Sequence, residues 1–145
     1  MIELIFVIVV LGILAAIAIP KFAATRDDAY IAQARSTIAA VRSGIINERQ
    51  ARLFRGDNKF INQLHHVGTV FFDHNGTPSN IIMMYGVTTK NDNGHWHTAA
   101  CAGASPNQIC TYQFKIFGKD NTFTYSEANG TFNCTSGGSC SLLTN

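Results

Sequence analysis

Met1-Ile-Glu-Leu-Ile-Phe-Val-Ile-Val-Val-Leu-Gly-Ile-Leu-Ala-Ala-Ile-Ala-Ile-Pro20 opens the chain and decides how the rest of it is read. Residues 4–19 carry no polar side chain, and Glu3 is the only charge before Lys21. As a helix, these sixteen residues span about 24 Å, at the short end for crossing a bilayer. A cleaved secretory signal has a basic leader, a shorter apolar core and a small-residue cleavage site followed by unrelated sequence. Here the helical pattern continues past Pro20, so the segment is expected to belong to the working protein. A carboxylate on such a helix costs roughly 2.5–3.5 kcal/mol at the bilayer centre and is expected to have a partner. The plainer alternative is that Glu3 reaches the headgroups from the helix end.

Glu3, Gly12 and Pro20, set in this apolar run, resemble the N-terminal helix of type IV pilins and type II secretion pseudopilins. The likeness covers about the first 25 residues. It implies that the mature chain begins with an N-methylated Phe or Met and carries its Glu at the fifth position, so that two residues, Phe-Thr, precede Met1. It also implies an α+β fold, a long N-terminal helix packed on an antiparallel sheet. The Glu3 carboxylate would pair with the α-amine of a neighbouring subunit. Each charge would then offset the desolvation of the other and penalise a subunit docked at the wrong height. Gly12 and Pro20 weaken the helix between them, since Gly costs about 1 kcal/mol against Ala and Pro removes a hydrogen bond. A simple kink is one reading. The resemblance implies more, a local loss of helix over residues 13–19 in the filament form.

The 145 residues, with four Cys and a net charge of +2, suit one anchored helix and one small core. The charge is too weak to argue a nucleic-acid partner. All four Cys lie in the last 45 positions, which points to an extracytoplasmic domain.

After Pro20 an amphipathic helix is expected over 26–52. Ile31, Ala34, Ile38, Val41 and Ile45 recur at spacings of three and four, a stripe that should cover a sheet. Arg35, Arg42 and Arg49 sit seven apart on one face. The plain reading is a solvated face; salt bridges between subunits and contact with DNA are the alternatives. Gly56-Asp57-Asn58 breaks the helix, and a connecting loop over 53–67 follows, with a short helical turn at residues 60–64. Strands are expected at residues 68–73, 81–87, 111–117, 122–125 and 131–133. Residues 118–121 would form a hairpin connection, and residues 136–139 a tight turn.

Four Cys allow three connectivities. Pairing Cys101 with Cys110 and Cys134 with Cys140 is favoured because each enclosed loop carries Gly, Ser or Pro, and each bridge would contribute roughly 2–3 kcal/mol. The resemblance implies that the second pair closes the outer surface of a pilin. His65, His66, His74, His95 and His97 are read as surface residues in preference to metal ligands. Major pseudopilins commonly hold calcium through acidic residues of a C-terminal loop. This chain has only Asp120 and Glu127 after Asp92, which favours a pilus subunit. Asn75 and Asn129 begin Asn-Gly-Thr acceptor patterns with an acid two places earlier, and Asn133 begins a plain one. Asn-Gly is first of all a turn signal. No nucleophile, base and orienter assemble at a defensible spacing.

The chain is therefore expected to be a structural protein without cofactor, metal or catalytic residues. Residues 1–25 form the membrane and assembly half, and 26–145 a globular head whose sheet and disulfide-bounded region occupy 68–145. Its expected function is that of a type IV pilus subunit, serving motility, adhesion or DNA uptake. The alternatives are a major pseudopilin of a type II secretion system and a monomeric membrane-anchored binding domain. What the resemblance implies for partners is other copies of the chain, the inner membrane, the pilus assembly machinery and the prepilin peptidase. The implied location is the inner membrane before assembly and the cell surface afterwards.

Overall fold

A computed structural model describes residues 2–66, 70–73 and 81–144. It begins with one unbroken helix, α1 (Ile2–Phe54), roughly 80 Å long at the usual rise. The helix runs without interruption through residues 13–19 in this single chain. Its second half carries the expected stripe: Ala34, Ile38, Val41 and Ile45 are buried, and Ile31 packs on the same core.

The helix ends two residues beyond the expected boundary, at a glycine cap. Gly56 adopts a left-handed φ of 84°. Its amide donates to the Leu53 carbonyl at 3.0 Å, and the Asp57 amide to Arg52 at 2.9 Å. These two bonds satisfy carbonyls that the helix leaves open.

The remaining elements are β1 (Val70–Phe71), β2 (Val87–Thr88), β3 (Trp96–Ala102), β4 (Ile109–Ile116), β5 (Lys119–Ser126), β6 (Thr131–Ser136) and α2 (Cys140–Thr144). β1 and β2 pair as a small ribbon, and β3 to β6 form an antiparallel meander in sequence order. Alternation sets the inner face of the meander: Cys110, Tyr112, Phe114 and Ile116 from β4, with Phe123 and Tyr125 from β5, are buried. Trp96, Phe132 and Phe72 join them in a network of tilted and edge-on rings. The fold is thus α+β, the apolar stripe of α1 and the inner face of the sheet sharing one core.

Several expectations need correction. The β4–β5 connection is the two-residue turn Phe117-Gly118, both at positive φ, and β5 starts at Lys119 instead of after residue 121. Tight two-residue hairpins demand left-handed backbone. The buried Asn121 belongs to the strand, where its Oδ1 accepts from the Ser139 amide at 2.9 Å. Of the run 81–87, only Val87 is strand. Ile82 instead lays its backbone against α1 at Gly44, where a Cβ would stand 2.2 Å from the Ile82 carbonyl oxygen.

Residues 60–64 form no helical turn. Their polar groups are taken by the sheet: the Tyr125 hydroxyl donates to the Ile61 carbonyl at 2.6 Å, and the Leu64 amide donates to the Tyr112 hydroxyl at 2.8 Å. β3 and α2 were not anticipated. β3 has a register shift between His97 and Ala99, with Thr98 at φ 49°, and such a bulge erases the two-residue alternation. α2 is only five residues long.

Candidate assembly arm and head surface

From Ile2 to Ala29, before Tyr30 reaches the core, α1 extends as an arm of roughly 42 Å. The segment Ile2–Ile19 has a mean hydropathy of 3.1 and none of it is buried. Apolar side chains point in every direction around it: Ile2, Phe6 and Ile17 are each about two-thirds exposed or more. A helix apolar on all sides is stable only when lipid or other protein covers it.

Glu3 lies in the first turn of α1 and is exposed. The helix's own N-terminal dipole favours a negative charge there. A Cβ at Gly12 would meet no atom within 4 Å, so no contact within the chain requires glycine at that position. Pro20 sits inside the helix and cannot donate a backbone hydrogen bond to the preceding turn.

In the head, Arg35 is exposed and Arg42 and Arg49 are part-buried, and each of the three reaches a neighbouring element. Arg35 Nε donates to the Leu142 carbonyl at 2.7 Å. Arg42 Nε donates to Phe132 at 3.0 Å, with Nη2 donating to Asn133 Oδ1 at 3.2 Å. Arg49 lies over the Phe60 ring, its Cζ 4.5 Å from the centroid. They clasp α1 to α2, β6 and the loop that follows the helix, because long arginine stems reach past the apolar stripe to backbone acceptors on the element beside it. One turn beyond the stripe, buried Glu48 accepts from Arg52 at 3.2 Å and Arg55 at 2.9 Å.

Both disulfides form as expected, Cys101–Cys110 and Cys134–Cys140. The first joins directly opposed residues of β3 and β4, and the second ties β6 to α2. Asn129 is exposed on the β5–β6 turn, and its Oδ1 accepts from the Thr131 amide and hydroxyl at 3.1 and 2.7 Å. The acid two places before it, Glu127, is only 3 % exposed and turned inward, so the folded head does not present the extended acceptor pattern. Asn75 and His74 lie outside the described residues.

His97 is buried, its Nε2 3.0 Å from Asp120 Oδ1. His65 Nδ1 stands 3.0 Å from the Tyr112 hydroxyl, and desolvation holds its pKa below the ordinary 6.5, against the opposing field of Asp73. Among the described residues, no three His, Cys, Asp or Glu side chains gather at metal-binding spacing. The fasteners Tyr112, Tyr125, Asn121 and Glu127 were not singled out from sequence for these roles. For Tyr112, Tyr125 and Asn121 the signal was a polar group at an inward strand position, whereas Glu127 lies in the turn after β5.

No family model matches the chain, and neither the curated proteins nor the solved structures contain a significant match to it.

Proposed function

We propose that this chain is the structural subunit of a type IV pilus-like filament. In this reading residues 2–19 hold it in the inner membrane before assembly, and the same surface packs against other copies afterwards. One observation carries the proposal: a single helix is the spine of the head along one half and an uncovered apolar arm along the other. Transfer from lipid to a bundle of like arms keeps that surface out of water throughout. Gly12 supports the bundle, since a small residue that no intrachain contact requires lets two helices approach closely. Glu3 supports a defined register, because its charge is costly in an apolar core until a cation of the next copy stands beside it.

The disulfide-stapled head suits an oxidising exterior. A pseudopilin of a secretion system would share the arm, and a membrane-anchored monomer would share it too. The test is electron microscopy and mass spectrometry of material sheared from cells that make the chain. Long thin fibres built from it support the pilus reading. Retention of the chain in the membrane fraction, with no fibre even on overproduction, refutes it.

A further inference from the structure

Asn91 sits in a turn between β2 and β3 that is docked on β4. Within the turn the Asp92 amide donates to the Lys90 carbonyl at 2.9 Å, and the His95 amide to the Asp92 carbonyl at 3.2 Å. Two further bonds tie this segment to Lys115. The Lys115 amide donates to the His95 carbonyl at 3.1 Å, and its carbonyl accepts from the Gly94 amide at 2.8 Å. A third bond reaches the β4–β5 turn, from the Gly118 amide to Asn93 Oδ1 at 2.8 Å. The backbones that carry Asn91 and Lys115 are therefore fixed against each other.

Phe114 and Ile116 face the core, so alternation turns Lys115 to the outer face of the sheet. There Lys115 Nζ donates to Asn91 Oδ1 at 2.5 Å. The side-chain carbon Cγ lies one C=O bond beyond that oxygen, so Nζ stands within about 3.7 Å of it. Reacting atoms in a near-attack arrangement are about 3–3.5 Å apart. Asp120 is directly opposite Lys115 in the β4–β5 register, and its Oδ1 lies 3.9 Å from Nζ. His97 Nε2 stands 3.0 Å from the same oxygen and donates to it, since an ionised carboxylate has no proton to give. An amine, a carboxamide and a carboxylate able to carry protons between them thus meet at one place.

We propose that Lys115 and Asn91 join in an isopeptide bond, with Asp120 carrying the proton. The Lys115 ammonium passes one proton to the Asp120 carboxylate, which frees the lone pair of Nζ. Nζ then attacks Asn91 Cγ. Asp120 returns the proton to Nδ2, the Cγ–Nδ2 bond breaks, and ammonia leaves with a second proton of Nζ as ammonium. One amide replaces another, nothing is oxidised or reduced, and no co-reactant is needed. Holding both groups in one fold supplies the encounter that free amine and amide in dilute solution lack. The bond closes residues 91–115 into a ring that contains the Cys101–Cys110 bridge, and it fastens the turn to β4 even when that bridge is reduced. The inference is independent of the filament reading.

The test is the intact mass of the full chain, purified in detergent, kept folded, then reduced and denatured. The expected mass is that of the sequence less one ammonia. Succinimide formation at Asn75, Asn93 or Asn129, each followed by Gly, also loses ammonia, so two further readings separate the two products. Hydroxylamine opens a succinimide and leaves an isopeptide bond intact. Chymotrypsin, cutting after Trp96 and Phe114, should release the Asn91 and Lys115 peptides still joined to each other.

Asn91→Ala and Lys115→Arg should each restore the full mass, and the urea midpoint read from Trp96 establishes that each head still folds. Asp120→Asn should slow joining at least about 100-fold, read as the joined fraction over time. A folded wild-type chain of full mass, or one that has lost ammonia without joined peptides, overturns the bond. Joining at the wild-type rate in Asp120→Asn overturns the role given to that carboxylate.

Discussion

Tyr112→Phe removes one hydroxyl and keeps the ring. The aromatic network around Phe71, Phe72 and Phe132 stays filled, and no cavity term arises. What is lost is the acceptor for the Leu64 amide, 2.8 Å away on a fully buried residue, together with the contact to His65 Nδ1 at 3.0 Å. A buried donor stripped of its partner costs about 1–3 kcal/mol, a large share of the roughly 5–15 kcal/mol that holds a typical domain. Tyr125→Phe should cost less, about 1 kcal/mol, because the Ile61 carbonyl it serves is an acceptor with two lone pairs.

The assay is urea unfolding of the full chain in mild detergent. Trp96, the single tryptophan, reports it from a position 1 % exposed and ringed by Phe72, Phe114 and Phe123 at 5.0–5.2 Å. Exchange of the Leu64 amide, read in parallel, should speed up about five- to 150-fold. A loss below about 0.5 kcal/mol together with unchanged exchange at Leu64 would refute the role given to the tyrosine as fastener of the loop after α1.

Burial raises the folded pKa of Tyr112 and of Tyr125 above the ordinary value of 10.0. Their stabilising contribution is therefore complete below pH 10 and lost as pH rises above it. An alkaline melt should steepen from about pH 10, and the Tyr112→Phe, Tyr125→Phe double variant should flatten it; identical curves would contradict this. Gly44→Val drives a side chain into the Ile82 carbonyl oxygen, 2.2 Å from the Cβ position, and should destabilise the head by at least about 1–3 kcal/mol in the same urea assay. Replacing Cys134 and Cys140 by Ser should cost about 2–3 kcal/mol and speed amide exchange in α2 before the rest of the head. Glu3→Ala should leave the urea midpoint of the head unchanged and sharply lower fibre yield by electron microscopy; normal yield would remove Glu3 from the register mechanism.

The arm, the stripe from Ala34 to Ile45 and strands β4 to β6 were legible because each writes its own period or run into the sequence. β3 was hidden by its bulge at Thr98, and the stretch at Ile82 by a notch in the helix at Gly44. That notch is a property of two segments 38 positions apart and of neither alone. For the arginine ladder, spacing shows which face the side chains leave from, and Arg35 is exposed there, whereas what each one reaches depends on what crosses that face. Glu127 is a similar case. It stands two places before Asn129, a spacing that says nothing of burial, and the β3–β4 loop folds over it. Both disulfides were legible, since short loops rich in Gly, Ser or Pro close readily.

Helical reconstruction of the fibre from electron micrographs tests the assembly reading most directly. The expected density has residues 2–19 of every copy at the axis, within helix-packing distance of one another, with Glu3 beside the N-terminus of a neighbour and the heads outermost. Fibres joined only through the heads, with the apolar arms apart from one another, would contradict it.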